Sequence, residues 1–375
     1  MIFLRKHKKT SIETIKEELR KKIEHHKNLD KNNLSTADLN LLKKIKDETS
    51  RLDENNLTRT KAYLEIYRKY PELHWAFLAH MVSRNGGWNM TDLKGEFLSR
   101  ILSRKERVAF FSFLERANWL IFQDAYPQLL LYEESLKRNK SLFHLLPFMD
   151  ISGFMEVIWG YFWRKQDSVI LTVGLIINEQ SYLEERVMQN SNYKNKVIDT
   201  FEFQLQDLLS FNQILFPYKN QKLAGLTVHQ FQSLDERILI GKKLYTILFR
   251  KKDVFKQVVN WASETPHTGS RKDYWPHLFN SVNEGIPGFA YQLRLEACKL
   301  KKSVWKIYSP DLQSAWKNVQ HREAEKGDWL KDWNVADQLY ELTDTINGEI
   351  KHEYCKTLER LELAALAKKV ITILD

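Results

Sequence analysis

The spacing of apolar and polar residues predicts a chain built almost entirely from helices. Apolar positions recur at helical intervals through most of the sequence, and only 13 glycines and 8 prolines interrupt its 375 residues. Capping patterns such as Ser35 with Asp38 and Ser103 with Glu106 mark several helix starts. Predicted helices cover about residues 10–27, 35–50, 58–70, 72–84, 103–126, 128–139, 152–165, 168–189, 195–215, 253–264, 335–346 and 349–373, and others begin near 91, 233 and 309.

Glycine and proline predict where several of these helices end. Gly86-Gly87 is typical of a left-handed helix C-terminus, and Pro127 predicts a break just before it, because proline disfavours helix at the preceding residue. The stretch from Pro266 to Gly288 is rich in both residue types and is predicted to be irregular.

These elements predict an all-α or mostly α fold class, with a large, bundle-like helical domain. Residues 1–50 are charged and poor in aromatic side chains, and they are interpreted as a basic helical appendage whose helices pack loosely. Residues 51–375 form the large domain, either single or divided into fused lobes at 51–220 and 221–375, since a chain of 375 residues exceeds the usual size of one core.

Composition indicates a packed, cytoplasmic protein. Hydrophobic residues make up 43% of the chain, which is enough for a substantial core, and no long uncharged apolar run predicts a transmembrane helix. Cys298 and Cys355 are far apart in sequence and lie outside any CxxC pattern. This argues against a disulfide framework and a cysteine-based zinc site, and it fits a reducing cytoplasm.

Charge is unevenly distributed. Half of the net charge of +10 lies in residues 1–50, and the rest is spread over the remaining chain. Such an arm is either a solvated basic helix or a contact for a polyanion, meaning nucleic acid or an anionic membrane surface.

One candidate polar pocket lies on two apolar helices. His80 and Arg84 share a face of the helix that begins near Glu72, and Asn118 and Asp124 fall within the apolar arc of the helix that follows. Asp124 and His80 are predicted to act as base and orienter, with Arg84 holding an anion. The alternative is a buried polar network that fixes how the helices pack.

Two segments are candidate anion sites. Residues 83–92 contain Gly86-Gly87 before a predicted helix start, where backbone N–H groups can hold an anion, although the glycines also suffice to end a helix. The irregular stretch holds a cluster of polar side chains that suits phosphate or a nucleotide, or else is a well-anchored structural loop. Its candidate residues are His267, Ser270, Arg271, Lys272 and His277.

No cofactor and no metal site are predicted. Glu349 and His352 form one Glu-x-x-His, which is only half of a di-iron pattern. No serine-hydrolase elbow, Rossmann glycine pattern or kinase signature is present in the sequence.

Two sequence blocks resemble an uncharacterised bacterial family. Residues 56–60 read NLTRT, and residues 72–94 read ELHWAFLAHMVSRNGGWNMTDLK. They are similar to the domain of unknown function numbered twenty-five fifteen, known from Gram-positive spore-formers, over about residue 50 to the C-terminus. The resemblance implies a bacterial cytoplasmic setting and brings no activity or catalytic residues.

Three functional hypotheses follow. The first is a non-enzymatic helical adaptor with an unidentified protein partner. The second is an enzyme or small-anion binder that uses the His/Arg/Asn/Asp pocket. The third is polyanion binding through residues 1–50 and the loop around Arg271 and Lys272.

Overall fold

The computed structural model describes residues 2–24, 34–189, 213–228, 233–285, 291–340, 342 and 346–374, and the side chains of its terminal helices within 11–24 and 346–367. The α-helices are α1 (Ile2–Glu24), α2 (Thr36–Leu52), α3 (Asn56–Lys69), α4 (His74–Asp92), α5 (Leu98–Ile101), α6 (Arg104–Lys137), α7 (Gly153–Lys165), α8 (Ser168–Leu183), α9 (Leu234–Arg250), α10 (Lys252–Glu264), α11 (Leu312–Ala315) and α12 (Lys351–Leu374). Shorter 3₁₀ helices cover Phe143–Met149, Arg271–Asp273 and Trp333–Leu339, and a π-helical turn covers Glu184–Met188. Together they contain more than half of all residues, which confirms the mostly α prediction.

Short strands complete the described structure. They are β1 (Gln213–Tyr218), β2 (Lys222–Thr227), β3 (Phe279–Asn280), β4 (Leu295–Glu296), β5 (Lys299–Leu300) and β6 (Ile307–Tyr308). β1–β2 and β4–β5 are antiparallel hairpins, whereas β3 pairs in parallel with β6. The predicted helix 195–215 lies largely outside the described residues, and its last positions, from Gln213 onward, form β1 instead.

Capping boxes at two helix starts are confirmed. At α2, Ser35 Oγ accepts from Asp38 N at 3.1 Å, and Asp38 Oδ2 accepts from Ser35 N at 3.3 Å. At α6, Ser103 and Glu106 exchange the equivalent bonds at 3.3 and 2.6 Å. These pairs satisfy backbone donors that the first helical turn leaves free.

The predicted helix end at Gly86-Gly87 is wrong, because α4 continues through both glycines to Asp92. A Cβ on Gly87 would lie 2.4 Å from Asn56 Oδ1 and 2.6 Å from His267 Nε2. The glycine therefore permits close packing rather than a turn. The 83–92 segment is helix, so the proposed loop of free N–H groups is absent, and Thr91 lies near the end of α4 instead of starting a helix.

Four other predicted helices are also corrected. α6 runs through Pro127 as one 34-residue helix, although proline cannot donate the usual backbone bond. α1 begins at Ile2 rather than near residue 10. After Ser309, α11 has only 4 residues, and the predicted 335–346 helix is replaced by the 3₁₀ segment Trp333–Leu339.

Buried apolar side chains form two clusters. The larger joins α1–α4, the middle of α6, α7–α10 and the β1–β2 hairpin, and the smaller joins the end of α4, α5, the start of α6, the 271–312 region and α12. This division does not follow a boundary at residue 220, because each cluster draws on both sides of it. Ile15, Leu19, Leu41 and Ile45 are at most 3% exposed, so residues 1–50 contribute to the larger core rather than packing loosely.

The cysteine expectation is wrong: Cys298 and Cys355 form a disulfide across 57 residues of sequence. The β4–β5 turn holds Cys298 against α12, with a Cα–Cα distance of 5.2 Å. The separation of two cysteines along the sequence does not indicate their distance in space, because that distance depends on the fold.

None of the helices in the described ranges is long and apolar enough to cross a bilayer.

Candidate functional site

His80 and Arg84 lie one turn apart on α4 and are both buried. His80 Nδ1 donates to the Thr60 carbonyl oxygen at 2.8 Å, and its Nε2 has no hydrogen-bond partner. Arg84 donates to the Thr265 carbonyl oxygen and stacks 4.7 Å from the Trp261 ring. Burial and the neighbouring Arg84 lower the pKa of His80, and burial lowers the pKa of Arg84 to about 10.

Asn118 belongs to a different network. Its Oδ1 accepts from Arg59 Nε at 3.0 Å. Arg59 is fully buried and also donates to Asp53 at 2.9 Å and to Glu115 at 2.5 Å. Burial raises the pKa of Asp53 to about 6 despite this arginine. Asn118 thus completes the partners of a buried ion pair.

Asp124 belongs to a third network, between α6 and α8. Its Oδ2 accepts from Gln128 Nε2 at 3.0 Å and from Asn178 Nδ2. Asn178 Oδ1 in turn accepts from Trp329 Nε1 at 2.9 Å. Burial raises the pKa of Asp124 to about 7, although both amides oppose the rise.

No hydrogen bond or ion pair joins these four residues to one another within the described ranges. The predicted Asp124–His80 pair is absent, since each residue binds other groups. Asn118 and Asp124 also stand six positions apart on α6, which separates them by roughly 9 Å along the helix. Each residue is bound to other parts of the protein, while His80 Nε2, Arg84 Nε and Nη1, and Asp124 Oδ1 have no hydrogen-bond partner.

His267 and Ser270 of the candidate anion loop are turned inward. His267 Nε2 donates to Asn56 Oδ1 at 2.9 Å, and Nδ1 lies 3.4 Å from Asp273 Oδ2. Burial lowers the pKa of His267, although Asp273 favours its charged form. Ser270 Oγ donates to the Ser309 carbonyl oxygen at 2.5 Å. These contacts anchor the loop to α3 and to the segment before α11.

Arg271 is 6% exposed and directs most of its donors at protein atoms. Nε donates to Asp92 at 2.8 Å, Nη2 donates to Asn89 Oδ1 at 3.1 Å, and Nη2 also lies 2.6 Å from Asp92 Oδ2 in an ion pair. Nη1 donates to Tyr274 OH at 2.7 Å and to Tyr354 OH at 3.1 Å. The guanidinium is therefore paired with a carboxylate and held by internal hydrogen bonds, which is the arrangement of a structural anchor.

Lys272 and His277 complete the loop without joining Arg271. Lys272 is exposed, and its Nζ lies 3.4 Å from Ser281 Oγ. The centroid of the His277 ring lies 5.6 Å from that of Trp275 in a tilted arrangement, and burial, followed by the charge of Lys351, lowers the pKa of His277. The five loop residues therefore do not converge on one anion site.

A cavity of about 190 Å³ lies against the Arg271 cluster. α4, α5, α6, β1, β6 and α12 all contribute to its wall. Its polar wall residues include Asn89, Asp92, Glu96, Gln213, Arg271, Ser309, Tyr354 and Thr357. The apolar ones include Leu93, Phe97, Leu98, Phe110, Phe113, Leu114, Ile214, Val228, Phe279, Ile307, Leu358 and Leu361. A mostly apolar cavity with a few polar groups is the usual form of a small-molecule site.

Asp92 and Gln213 each contribute to this wall a side-chain oxygen that can accept a further hydrogen bond. The Asp92 side chain is 25% exposed although it is paired with Arg271, and burial raises its pKa. Thr227 donates its only hydroxyl proton to Glu353. Toward Gln213 the hydroxyl oxygen can therefore only accept, and it accepts from Gln213 Nε2 at 3.2 Å. This fixes the amide orientation and leaves Gln213 Oε1 without a partner.

Comparison with known proteins places the chain in a family. A family model described as "Protein of unknown function (DUF2515)" matches residues 51–355. The chain belongs to this family. It is 43% identical over 233 residues, covering 62% of this chain and 72% of the relative, to "Uncharacterized protein YppC" of Bacillus subtilis (strain 168). No solved structure matches the chain.

The part of the chain that defines the family contains most of the cavity wall. Asp92, Arg271 and Tyr354 lie within the matched residues, while Leu358 and Leu361 follow them. The sequence alone singles out Arg271, but it does not indicate that Asp92, Gln213 and Tyr354 contribute to the same cavity wall. No spacing signal connects them, because Arg271 lies 179 positions from Asp92 and 83 from Tyr354.

In the described ranges, no group of three or more histidine, cysteine, aspartate or glutamate residues is placed to hold a metal ion.

Proposed function

We propose that this protein binds a small, mostly apolar molecule in the cavity beside Arg271. The observation that carries the proposal is the cavity itself, which has a volume of about 190 Å³, apolar walls and one polar region. An apolar ligand that fits these walls gains dispersion and hydrophobic energy. Such a ligand is favoured over an anionic one, because Arg271 is already paired with Asp92 and bonded to protein atoms.

Single-ring probes test the cavity directly. Toluene and benzyl alcohol are titrated by calorimetry into the wild-type chain, and saturable binding of one or both is expected. Leu361→Trp places a large ring in the cavity and is expected to weaken binding at least about tenfold. Leu363→Trp is the matched control, since Leu363 is 54% exposed on the same helix and should leave affinity unchanged.

Two results overturn the proposal. One is the failure of both probes to bind the wild-type chain. The other is equal probe affinity in Leu361→Trp and wild type, which would place the binding elsewhere.

The other sequence hypotheses stay predictions. The adaptor has no identified partner, and the polyanion hypothesis loses Arg271, which is buried in internal bonds. The cytoplasmic location also stays a prediction, and its cysteine argument is weakened by the disulfide. Cell fractionation with an antibody against the chain tests that location.

A further inference from the structure

This inference rests on the proposed function, the binding of a small molecule in the cavity. The hydrogen-bonding groups of the cavity wall indicate the chemical class of that molecule. The available acceptors are the open part of the Asp92 carboxylate and Gln213 Oε1. A carboxylate has about four lone-pair positions, and Arg271 fills them only in part. Arg271 donates to protein atoms through Nε, Nη1 and Nη2, so its charge is already paired inside the protein.

The tyrosine pair supplies a donor. Tyr274 OH and Tyr354 OH lie 2.6 Å apart, and each accepts from Arg271 Nη1. The hydrogen bond between the two hydroxyl groups uses one of their two protons, so the other proton can be donated to a ligand. Tyr354 is on the cavity wall and Tyr274 is not. With Tyr274 donating to Tyr354, the free proton belongs to the wall residue.

Charge around the cavity is already balanced. Asp92 pairs with Arg271, and Glu96 pairs with Arg100 at 2.9 Å and with Arg294 at 3.5 Å. A charged ligand would add a buried charge without a counterion, which is strongly unfavourable. The polar end of the ligand is therefore neutral.

We infer that the cavity takes a neutral, single-ring molecule bearing a hydroxyl group. A hydroxyl donates to Asp92 and accepts from Tyr354, which neither an ammonium nor a carboxylate can do at once. The volume sets the size: an apolar cavity of about 150 Å³ in another protein holds benzene, so about 190 Å³ suits one ring with a short substituent.

Four probes of similar shape separate this inference from the proposed function. Toluene, benzyl alcohol, benzylamine and benzoate are compared by calorimetry at neutral pH. Benzyl alcohol is expected to bind at least about tenfold more tightly than toluene, because it adds a hydrogen bond to a charged acceptor. Benzylamine and benzoate are both expected to bind more weakly than benzyl alcohol. If no probe binds, the proposed function fails; if benzyl alcohol binds no better than another probe, the hydroxyl inference alone fails.

Tyr354→Phe provides the matched variant. Removing the hydroxyl should lower benzyl alcohol affinity several-fold more than toluene affinity, so the ratio of the two affinities reports the lost hydrogen bond. Equal loss for both probes, or no loss for either, contradicts the assigned role of Tyr354. If this variant does not fold, the wild-type probe series still decides the inference.

Discussion

At the scale of single residues, two neighbouring glycines in α4 have different surroundings. We expect Gly87→Ala to destabilise the protein by about 1–3 kcal/mol, since its Cβ would meet Asn56 Oδ1 at 2.4 Å and His267 Nε2 at 2.6 Å. This loss opposes the better helix propensity of alanine, which contributes about 1 kcal/mol. Chemical denaturation followed by circular dichroism measures the difference.

Gly86→Ala is the control within the same helical turn. Its nearest neighbour would be Asn118 Nδ2 at 3.4 Å, an ordinary contact, so the variant should be neutral or more stable than wild type. Equal destabilisation by the two variants would show that the close approach at Gly87 is not what requires glycine.

Asp124 carries a prediction about pH. Its folded pKa of about 7 lies above the usual 3.8, so the native state holds a proton that the unfolded chain loses between these values. The contribution of Asp124 to the free energy of unfolding is therefore fully present at low pH, and it is lost as the pH rises from about 3.8 to about 7. The loss by about pH 8 is on the order of 4 kcal/mol. Asp124→Asn, which stays neutral, should remove this part of the pH dependence when unfolding is measured from about pH 5 to 8.

Burial also raises the pKa of Asp53 to about 6 and of Glu179 to about 7. Both groups remain in the variant, but Asp124 itself contributes to the raised pKa of Glu179, so the difference between the two stability curves reports Asp124 together with this coupling. Asp150→Asn, at an exposed left-handed position that asparagine tolerates, should leave the curve unchanged. Parallel curves for wild type and Asp124→Asn would contradict the assignment.

At the scale of elements, local chemistry was predictable and tertiary packing was not. Ser103 and Glu106 define a helix start by bonds that span three residues, so the sequence alone suffices to find it. Gly87 and Pro127 are breakers in isolation, but α4 and α6 continue because both are buried in the core on many sides. Packing of this kind outweighs a local preference of about 1–3 kcal/mol.

The disulfide between the β4–β5 hairpin and α12 yields a prediction for stability. Reduction should release a closed loop of 57 residues and destabilise the protein by up to about 4 kcal/mol. Thermal unfolding with and without dithiothreitol measures the effect, and thiol titration should find no free thiol before reduction.

The double variant Cys298→Ser with Cys355→Ser is the control. It should match the reduced wild-type chain and should not respond to dithiothreitol. A wild-type melting temperature unchanged by the reductant would contradict a stabilising role for the bridge.

At the scale of the whole molecule, the sequence predicted the fold class but not the cavity. Helical content can be predicted from composition and from the spacing of apolar residues, because both are properties of each segment taken alone. The cavity instead depends on segments such as Asp92, Arg271 and Tyr354 that meet only in the folded chain. Arg271 was recognisable as a chemically interesting residue, but its partners were not, and those partners changed its role from anion ligand to internal anchor.

The Arg271 cluster also sets an order of assembly during synthesis. Its bond to Tyr354 requires α12, which leaves the ribosome after every other described element. The larger apolar cluster takes none of its fully buried residues from α12, so it is free to pack earlier. We therefore expect the nascent chain to form its main core first, and the cavity wall is complete only when α12 docks.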